Sequence, residues 1–383
     1  MSTSKLSRRQ FATTIGVAVA AATARPALSF PGVQRAPRPA RPADAILLNA
    51  NENAYGPSPK AIAAMSEAQP HAMRYPDFEF TELQKQVAEL HGVGPERVVF
   101  GCGSTEILRV TDAAFLTPEK NIVAAEPTFE AVLEYAKVTR SPAIKVQLTA
   151  DLRHDLPAMA AQCTSRTGVV YVCNPNNPTG TIVTREDMAR FFEAVPKSTV
   201  ILMDESYHHF VDDPKYASAT EWLDKLPNLI VARTFSKVYG LAGMRLGYAI
   251  GAKETIAQMR PFCTQDNGNA AVIAAASASL KDTARVAECR KKVLETRGWV
   301  TAQLQSLHFR VAESQGNFLM TDVRGDVTPL IEEFRKRNIY VGRKFPSMGN
   351  WMRVTIGTPD EMHAFMGAFR EIMCAGDRCA VAS

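Results

Sequence analysis

Between about residues 95 and 250 the chain repeats one rhythm: a short apolar run rich in β-branched residues, a polar turn, then a helical pattern. No other feature constrains the fold as much. Strands separated by helices pair in parallel, and a parallel sheet needs cover on both faces. Strands are predicted at 98–100, 121–125, 168–173, 199–203, 229–232 and 246–251, and helices at 104–115, 128–137 and 184–194. Thr184 followed by Asp187 resembles a capping arrangement at the start of the last of these helices. The expected class is α/β, with a mostly parallel sheet between helices.

The last hundred residues read differently. A long charged helix at 284–307 leads to short strands near 316–320 and 351–356, flanked by helices at 327–337 and 359–373. This predicts a smaller α+β domain that also packs the N-terminal segment. The expected division is an N-terminal arm at 46–75, a large domain at 76–283 and a small C-terminal domain at 284–375.

What precedes residue 46 has the marks of targeting rather than of a core. Arg8 and Arg9 stand before a weakly apolar run, 12–24, that ends in Ala22-Thr23-Ala24. The run is too short to span a bilayer and resembles a twin-arginine export signal, expected over 1–30. A Pro/Ala/Arg linker follows over 31–45. The expected location is therefore periplasmic or otherwise exported, with no integral membrane segment. The net charge is +5, and several of the basic residues belong to this tail. With neither a basic face nor a binding motif in the body, a nucleic-acid partner is not indicated. The seven cysteines form no C-x-x-C pair, and the histidines show no ligand spacing, so no metal is expected. Buried free thiols fit best, although Cys374 and Cys379 are close enough to form a local disulfide.

Four short strings carry chemistry. Gly101-Cys102-Gly103-Ser104-Thr105-Glu106 follows a strand and opens a helix, where free backbone N–H groups and the dipole favour an anion. Alone, it is equally a tight turn with Ser104 as cap. Asn174-Pro175-Asn176-Asn177-Pro178-Thr179-Gly180 sets a rigid loop at the carboxyl end of a strand, where α/β sheets bind ligands. Asp204 ends an apolar strand, and a carboxylate there is costly unless paired; a pyridinium N–H would serve, and so would a helix cap or an ion pair. Tyr207 lies three residues on. Lys237 sits in a Ser/Gly-rich loop within Thr234-Phe235-Ser236-Lys237, followed by Gly240-Leu241-Ala242-Gly243-Met244-Arg245. In isolation it is an ordinary surface lysine.

Taken in order, these strings resemble the class I/II aminotransferases of fold-type I, and most of all the histidinol-phosphate aminotransferase branch. Asn51-Glu52-Asn53-Ala54-Tyr55-Gly56-Pro57, Arg74-Tyr75-Pro76-Asp77 and Met352-Arg353-Val354-Thr355-Ile356-Gly357-Thr358 extend the resemblance across 46–373. It implies pyridoxal 5'-phosphate (PLP) as cofactor, held as an imine by Lys237, which also moves the proton at the substrate α-carbon. It implies Asp204 at the pyridine nitrogen, and Asn177 and Tyr207 at the 3'-oxygen. Gly103, Ser104, Thr105, Ser236 and Arg245 would surround the phosphate, with Phe129 over the ring. Tyr75 would reach the phosphate of a neighbouring subunit, making a homodimer the functional unit. Tyr55, Arg343, Trp351 and Arg353 are the implied substrate residues.

Departures from the family pattern fall at Phe129, where many relatives carry Tyr, at Ala54, and in the short aromatic segment between Arg343 and Arg353. The implied reaction is transamination between an amino donor, histidinol phosphate by nearest resemblance, and a 2-oxo acid such as 2-oxoglutarate. Export would instead suit an aromatic or other amino acid as donor, and the same scaffold supports β-lyase or cyclising chemistry.

Overall fold

The computed structural model describes residues 42–374. The export-signal segment, most of the linker, Cys379 and the side chain of Cys374 lie outside the described residues. From Asp44 onward the chain forms one compact unit.

The first strand, β1 (Ile46–Leu48), stands apart from the main sheet. The next seven build that sheet: β2 (Val98–Gly101), β3 (Asn121–Glu126), β4 (Ala143–Gln147), β5 (Thr167–Cys173), β6 (Val200–Asp204), β7 (Leu229–Thr234) and β8 (Gly247–Gly251). Their order is β2-β8-β7-β6-β5-β3-β4. Pairing is parallel from β7 through β6, β5 and β3 to β4, while β8 runs antiparallel to both β7 and β2. Every residue of β5, β6 and β7 is buried, which is why these strands read as unbroken apolar runs.

β4 differs from its neighbours. It lies at the sheet edge and alternates exposed and half-buried residues through Ala143, Ile144, Lys145, Val146 and Gln147. A half-solvated edge strand lacks the continuous apolar signal, and sequence reasoning did not find it. The helix expected from residue 128 begins three residues later, as Ala131–Val138. Thr128, Phe129 and Glu130 line a cavity instead. The helix Arg185–Ala194 carries the full capping box, Thr184 accepting from the Asp187 N–H and Asp187 accepting from the Thr184 N–H.

Three further strands lie beyond the sheet. β9 (Phe318–Asp322) and β11 (Trp351–Thr355) pair antiparallel, and β10 (Ile339–Val341) pairs in parallel with β1, Ile46 opposite Ile339. The N-terminal segment is thus stitched to the C-terminal elements through the β1–β10 pairing. The long helix Thr283–Ser306 packs on β9 and the helix Val327–Lys336 on β10, and the helix Pro359–Cys374 packs against both helices. No described helix is long and apolar enough to cross a membrane.

Candidate active site

Consecutive parallel strands end at one level, so the residues just past their carboxyl ends converge. Here they enclose a cavity of about 420 Å³, within the range that holds a small cofactor and substrate. Asp204, the last residue of β6, is buried and lines it. One carboxylate oxygen accepts from the Ser206 backbone N–H at 3.0 Å and the Ser206 hydroxyl at 2.6 Å; the other accepts from the Tyr171 hydroxyl at 3.0 Å. Burial pushes the Asp204 pKa up, and the Ser206 and Tyr171 bonds oppose it. A cationic ring N–H in the cavity would supply the missing counter-charge.

A cradle for an anion forms on one side. Gly103 opens the helix Ser104–Phe115 at φ 79°, and a Cβ there would lie 2.2 Å from Nη2 of Arg245. Arg245, itself left-handed at φ 63°, donates Nη1 to the Ala242 carbonyl at 2.9 Å and the Ser236 hydroxyl at 3.3 Å, and Nη2 to the Thr105 hydroxyl at 3.2 Å. A Cβ on Gly247 would lie 2.3 Å from the Ser104 nitrogen, so β8 must begin with glycine for the helix N-terminus to sit so close. Helix N–H groups, two hydroxyls and a guanidinium gathered at one point are a phosphate receptor.

Lys237 lines the same cavity. Its Nζ donates to the Asn51 carbonyl at 3.0 Å and lies 5.3 Å from the centre of the Tyr207 ring. Loss of water around the amine, reinforced by the Arg353 charge, lowers its pKa to about 8. The Tyr207 hydroxyl accepts from Asn51 Nδ2 at 3.1 Å and Asn177 Nδ2 at 3.4 Å. Arg353 closes the network, donating Nη1 to Asn177 Oδ1 and Nη2 to the Asn49 carbonyl, both at 2.7 Å. Its Nε is buried without a partner, and burial brings its pKa down to about 10. A carboxyl sink for a ring nitrogen, an anion cradle and an uncharged-prone lysine are a set that fits pyridoxal phosphate.

The structure gathers most of the residues singled out from sequence. Ser104, Thr105, Phe129, Asn177, Asp204, Tyr207, Ser236, Lys237, Arg245, Arg343 and Arg353 all line the cavity, with Gly103 directly behind Arg245. Three predicted residues lie elsewhere. Tyr55 is half-buried with its ring 5.1 Å from Lys292 Nζ. Trp351 is buried in a cluster with Ala312, Met320, Phe345 and Met348, where its bulk supports Phe345 rather than touching the cavity. Tyr75 is 75% exposed on the surface of the single chain.

Other lining residues escaped sequence reasoning as functional candidates. Asn51 and Glu52 belong to the Asn51–Pro57 string, and Asn51 stands at φ 52°, a strained value that a residue keeps only when its surroundings hold it. Glu130 had no local signal beyond composition; Phe345 belongs to the short aromatic segment between Arg343 and Arg353 that the sequence does mark for the substrate side. Tyr171 reaches Asp204 from the neighbouring strand, a contact visible only once the register is known. Among the described residues no group of three or more His, Cys, Asp or Glu side chains is placed to hold a metal. The five described cysteines are free.

Comparison with known proteins agrees with this geometry. The family described as aminotransferase class I and II matches residues 43–369. A histidinol-phosphate aminotransferase of Moorella thermoacetica is 37% identical over 333 residues, 86% of each chain. An aromatic amino acid aminotransferase of Corynebacterium diphtheriae is 36% identical, over 85% of this chain and 93% of that one. Among solved structures, the histidinol-phosphate aminotransferase of Sinorhizobium meliloti, in complex with pyridoxal-5'-phosphate, shares the fold with a TM-score of 0.82 at 24% identity, over 86% of this chain and 91% of that one. With the family shown along nearly the whole described chain, and an anion cradle, a buried carboxylate and Lys237 disposed around one cavity, this chain belongs to the class I and II aminotransferases and is a pyridoxal-phosphate-dependent transaminase near the histidinol-phosphate branch.

Proposed function

We propose that the amino donor is histidinol phosphate and the acceptor a 2-oxo acid such as 2-oxoglutarate. The observation that carries this reading is the pair of guanidiniums on the substrate side. Arg343 and Arg353 flank the Phe345 ring at 4.3 and 5.3 Å from its centre, which gives a receptor for a doubly charged anion beside an apolar face. The 37% identity to a histidinol-phosphate aminotransferase supports the same donor.

When bound, pyridoxal phosphate supplies an aldehyde for attachment and a ring that accepts electrons from the substrate carbon. The Lys237 amine, uncharged in a useful fraction near neutral pH, attaches the cofactor and, once free, takes the proton from the donor α-carbon. Asp204 holds the proton on the ring nitrogen. Tyr207 and Asn177 hold the ring oxygen next to the aldehyde, and the Gly103–Thr105 turn with Ser236 and Arg245 anchors the phosphate. Arg353, already fixed by Asn177 and Asn49, orients the substrate anion. Phe129 covers the ring as an apolar face without a hydroxyl.

The working unit in this proposal is a homodimer in which Tyr75 serves the neighbouring site. Support comes from the exposure of Met73, Tyr75 and Phe78, at 76, 75 and 88%; three large apolar side chains left in water on one short segment suit burial by a second copy. The residues Arg8 and Arg9 support export as the location.

Single-turnover conversion of the cofactor to its amine form, followed by absorbance across a panel of amines, tests the donor. Histidinol phosphate is expected to react with the highest kcat/KM. A higher value for phenylalanine or tyrosine would replace the proposal by the aromatic reading, which the Corynebacterium relative and the Phe129 and Phe345 rings favour. Lys237→Ala is expected to lose borohydride-reducible attachment of the cofactor.

A further inference from the structure

A transaminase must receive two different substrates in one site, in turn. If Arg343 contacts a distal anion, it faces a problem whenever the occupant has none. Beside an uncharged tail, its guanidinium finds no anion on the substrate to pair with. The structure holds a second anion in reach. Glu130 forms an ion pair with Arg343, between Nη2 and Oε2. Both residues line the cavity, and they come from different elements: Glu130 immediately precedes the helix Ala131–Val138, and Arg343 follows β10.

Glu130 has no competing structural task. It occupies the cap position of its helix yet makes no side-chain cap bond, so its carboxylate is committed to the arginine alone. The remaining Arg343 contacts are the Lys344 carbonyl, from Nη1 at 3.1 Å, and the face of Phe345. Side-chain exposures of 54% for Arg343 and 42% for Glu130 place the pair at the cavity mouth in contact with water. Such a pair is weak and exchanges readily. Arg353, by contrast, is held by Asn177 and Asn49 and cannot swing away without leaving two acceptors unpaired. The two arginines therefore differ in kind, one fixed and one on an exchangeable partner.

We propose that Glu130 is a specificity-determining residue, the stand-in anion for Arg343. It neutralises the guanidinium when the bound substrate has an uncharged tail, and yields to a substrate phosphate or carboxylate when the tail is anionic. The proposal rests on the assignment of Arg343 and Arg353 to the substrate side, and not on which amine is the donor.

The test uses the holoenzyme and two five-carbon acids that differ only in the distal charge, glutarate and pentanoate. Inhibition constants against the amino donor are measured for both. Glu130→Gln removes the stand-in, so glutarate binds tighter while pentanoate binds equally or more weakly. The ratio of the two constants shifts by about 5-fold in favour of glutarate, the upper range for an exposed ion pair. Glu130→Asp stays closer to the parent ratio because it keeps the charge. In an Arg343→Gln background Glu130→Gln has no effect on the ratio, which the double-mutant cycle reads directly. An unchanged ratio, or equal shifts for both acids, overturns the proposal. A protein that prefers another donor still reports this ratio, so failure of histidinol phosphate as donor is separately visible. If glutarate proves insensitive to Arg343→Gln, it is the substrate-side assignment itself that fails.

Discussion

Cofactor loading should titrate with Lys237 far below the range of an ordinary lysine. The amine is pushed down to about 8 from 10.5, first by loss of water and then by the Arg353 charge. Only the neutral amine attacks the cofactor aldehyde. At pH 7 an amine of pKa 8 is neutral in about a tenth of molecules, against about 0.03% at 10.5, a gain on the order of 300-fold. The sign follows from the same shift: loading accelerates as pH rises toward 8 and levels off above it, since deprotonation is then complete. The assay is stopped-flow absorbance after mixing apoprotein with pyridoxal phosphate between pH 6 and 10, with the rate corrected for the cofactor's own ionisation. Arg353→Met removes the larger of the two nearby positive charges that lower it, so its midpoint moves upward; loss of water still keeps it below 10.5. A parent midpoint at or above 10, or an Arg353→Met midpoint that moves downward, would refute the reasoning.

Gly103→Ala meets Arg245 Nη2 at 2.2 Å in a backbone conformation at φ 79°. The arginine end can shift but leaves the cradle, so cofactor affinity should fall tenfold or more by equilibrium titration. The backbone strain adds a stability loss of about 1–3 kcal/mol, read by urea unfolding. If Tyr75 serves the neighbouring subunit, mixing Lys237→Ala with Tyr75→Ala chains should restore activity. Half of randomly paired dimers are hybrids with one intact site, giving about a quarter of parent activity, whereas no restoration above the separate variants would place Tyr75 outside the shared site. Replacing Arg8 and Arg9 by lysines should retain the protein in the cytoplasm on fractionation, and equal distribution of the two forms would remove the export proposal.

The architecture was legible wherever burial was complete. β5, β6 and β7 are buried along their whole length, and their apolar runs could be read without any knowledge of pairing. β4 was not legible, because an edge strand with Lys145 and Gln147 facing out carries half the signal. The start of the helix Ala131–Val138 was misjudged for a functional reason: residues 128–130 have helical composition but are spent on lining the cavity. Asp204 was ambiguous alone, since a cap, an ion pair and a ring nitrogen all explain a carboxylate at a strand end. Its partners, Ser206 two residues on and Tyr171 across the strand pair, leave the cavity side of the carboxylate for a cationic partner.

The two halves of the site differ in how their positions are set. The residues proposed for the cofactor sit at or just beyond the ends of neighbouring strands. Backbone pairing fixes their spacing, with Cys173 opposite Asp204 and Asp204 opposite Ala232. A short string after a strand therefore already states where its side chains go. The residues proposed for the substrate have no such frame. Segments 49–52, 129–130 and 343–353 meet only in the folded chain, where β1 pairs with β10 and packs against β11. Sequence spacing between these segments means nothing until that packing exists. Trp351 illustrates the limit: it lies two residues from Arg353 on β11, yet it is buried in the cluster around Phe345 while Arg353 lines the cavity. Residues two apart on a strand share a face, so proximity in sequence suggested a shared role. Both lie beside Phe345, Trp351 in the cluster behind it and Arg353 5.3 Å from its ring, but only Arg353 lines the cavity. On the proposed roles, the reaction depends on the sheet and the choice of substrate on packing between segments some three hundred residues apart, where Asn49 and Arg353 are joined by one hydrogen bond of 2.7 Å.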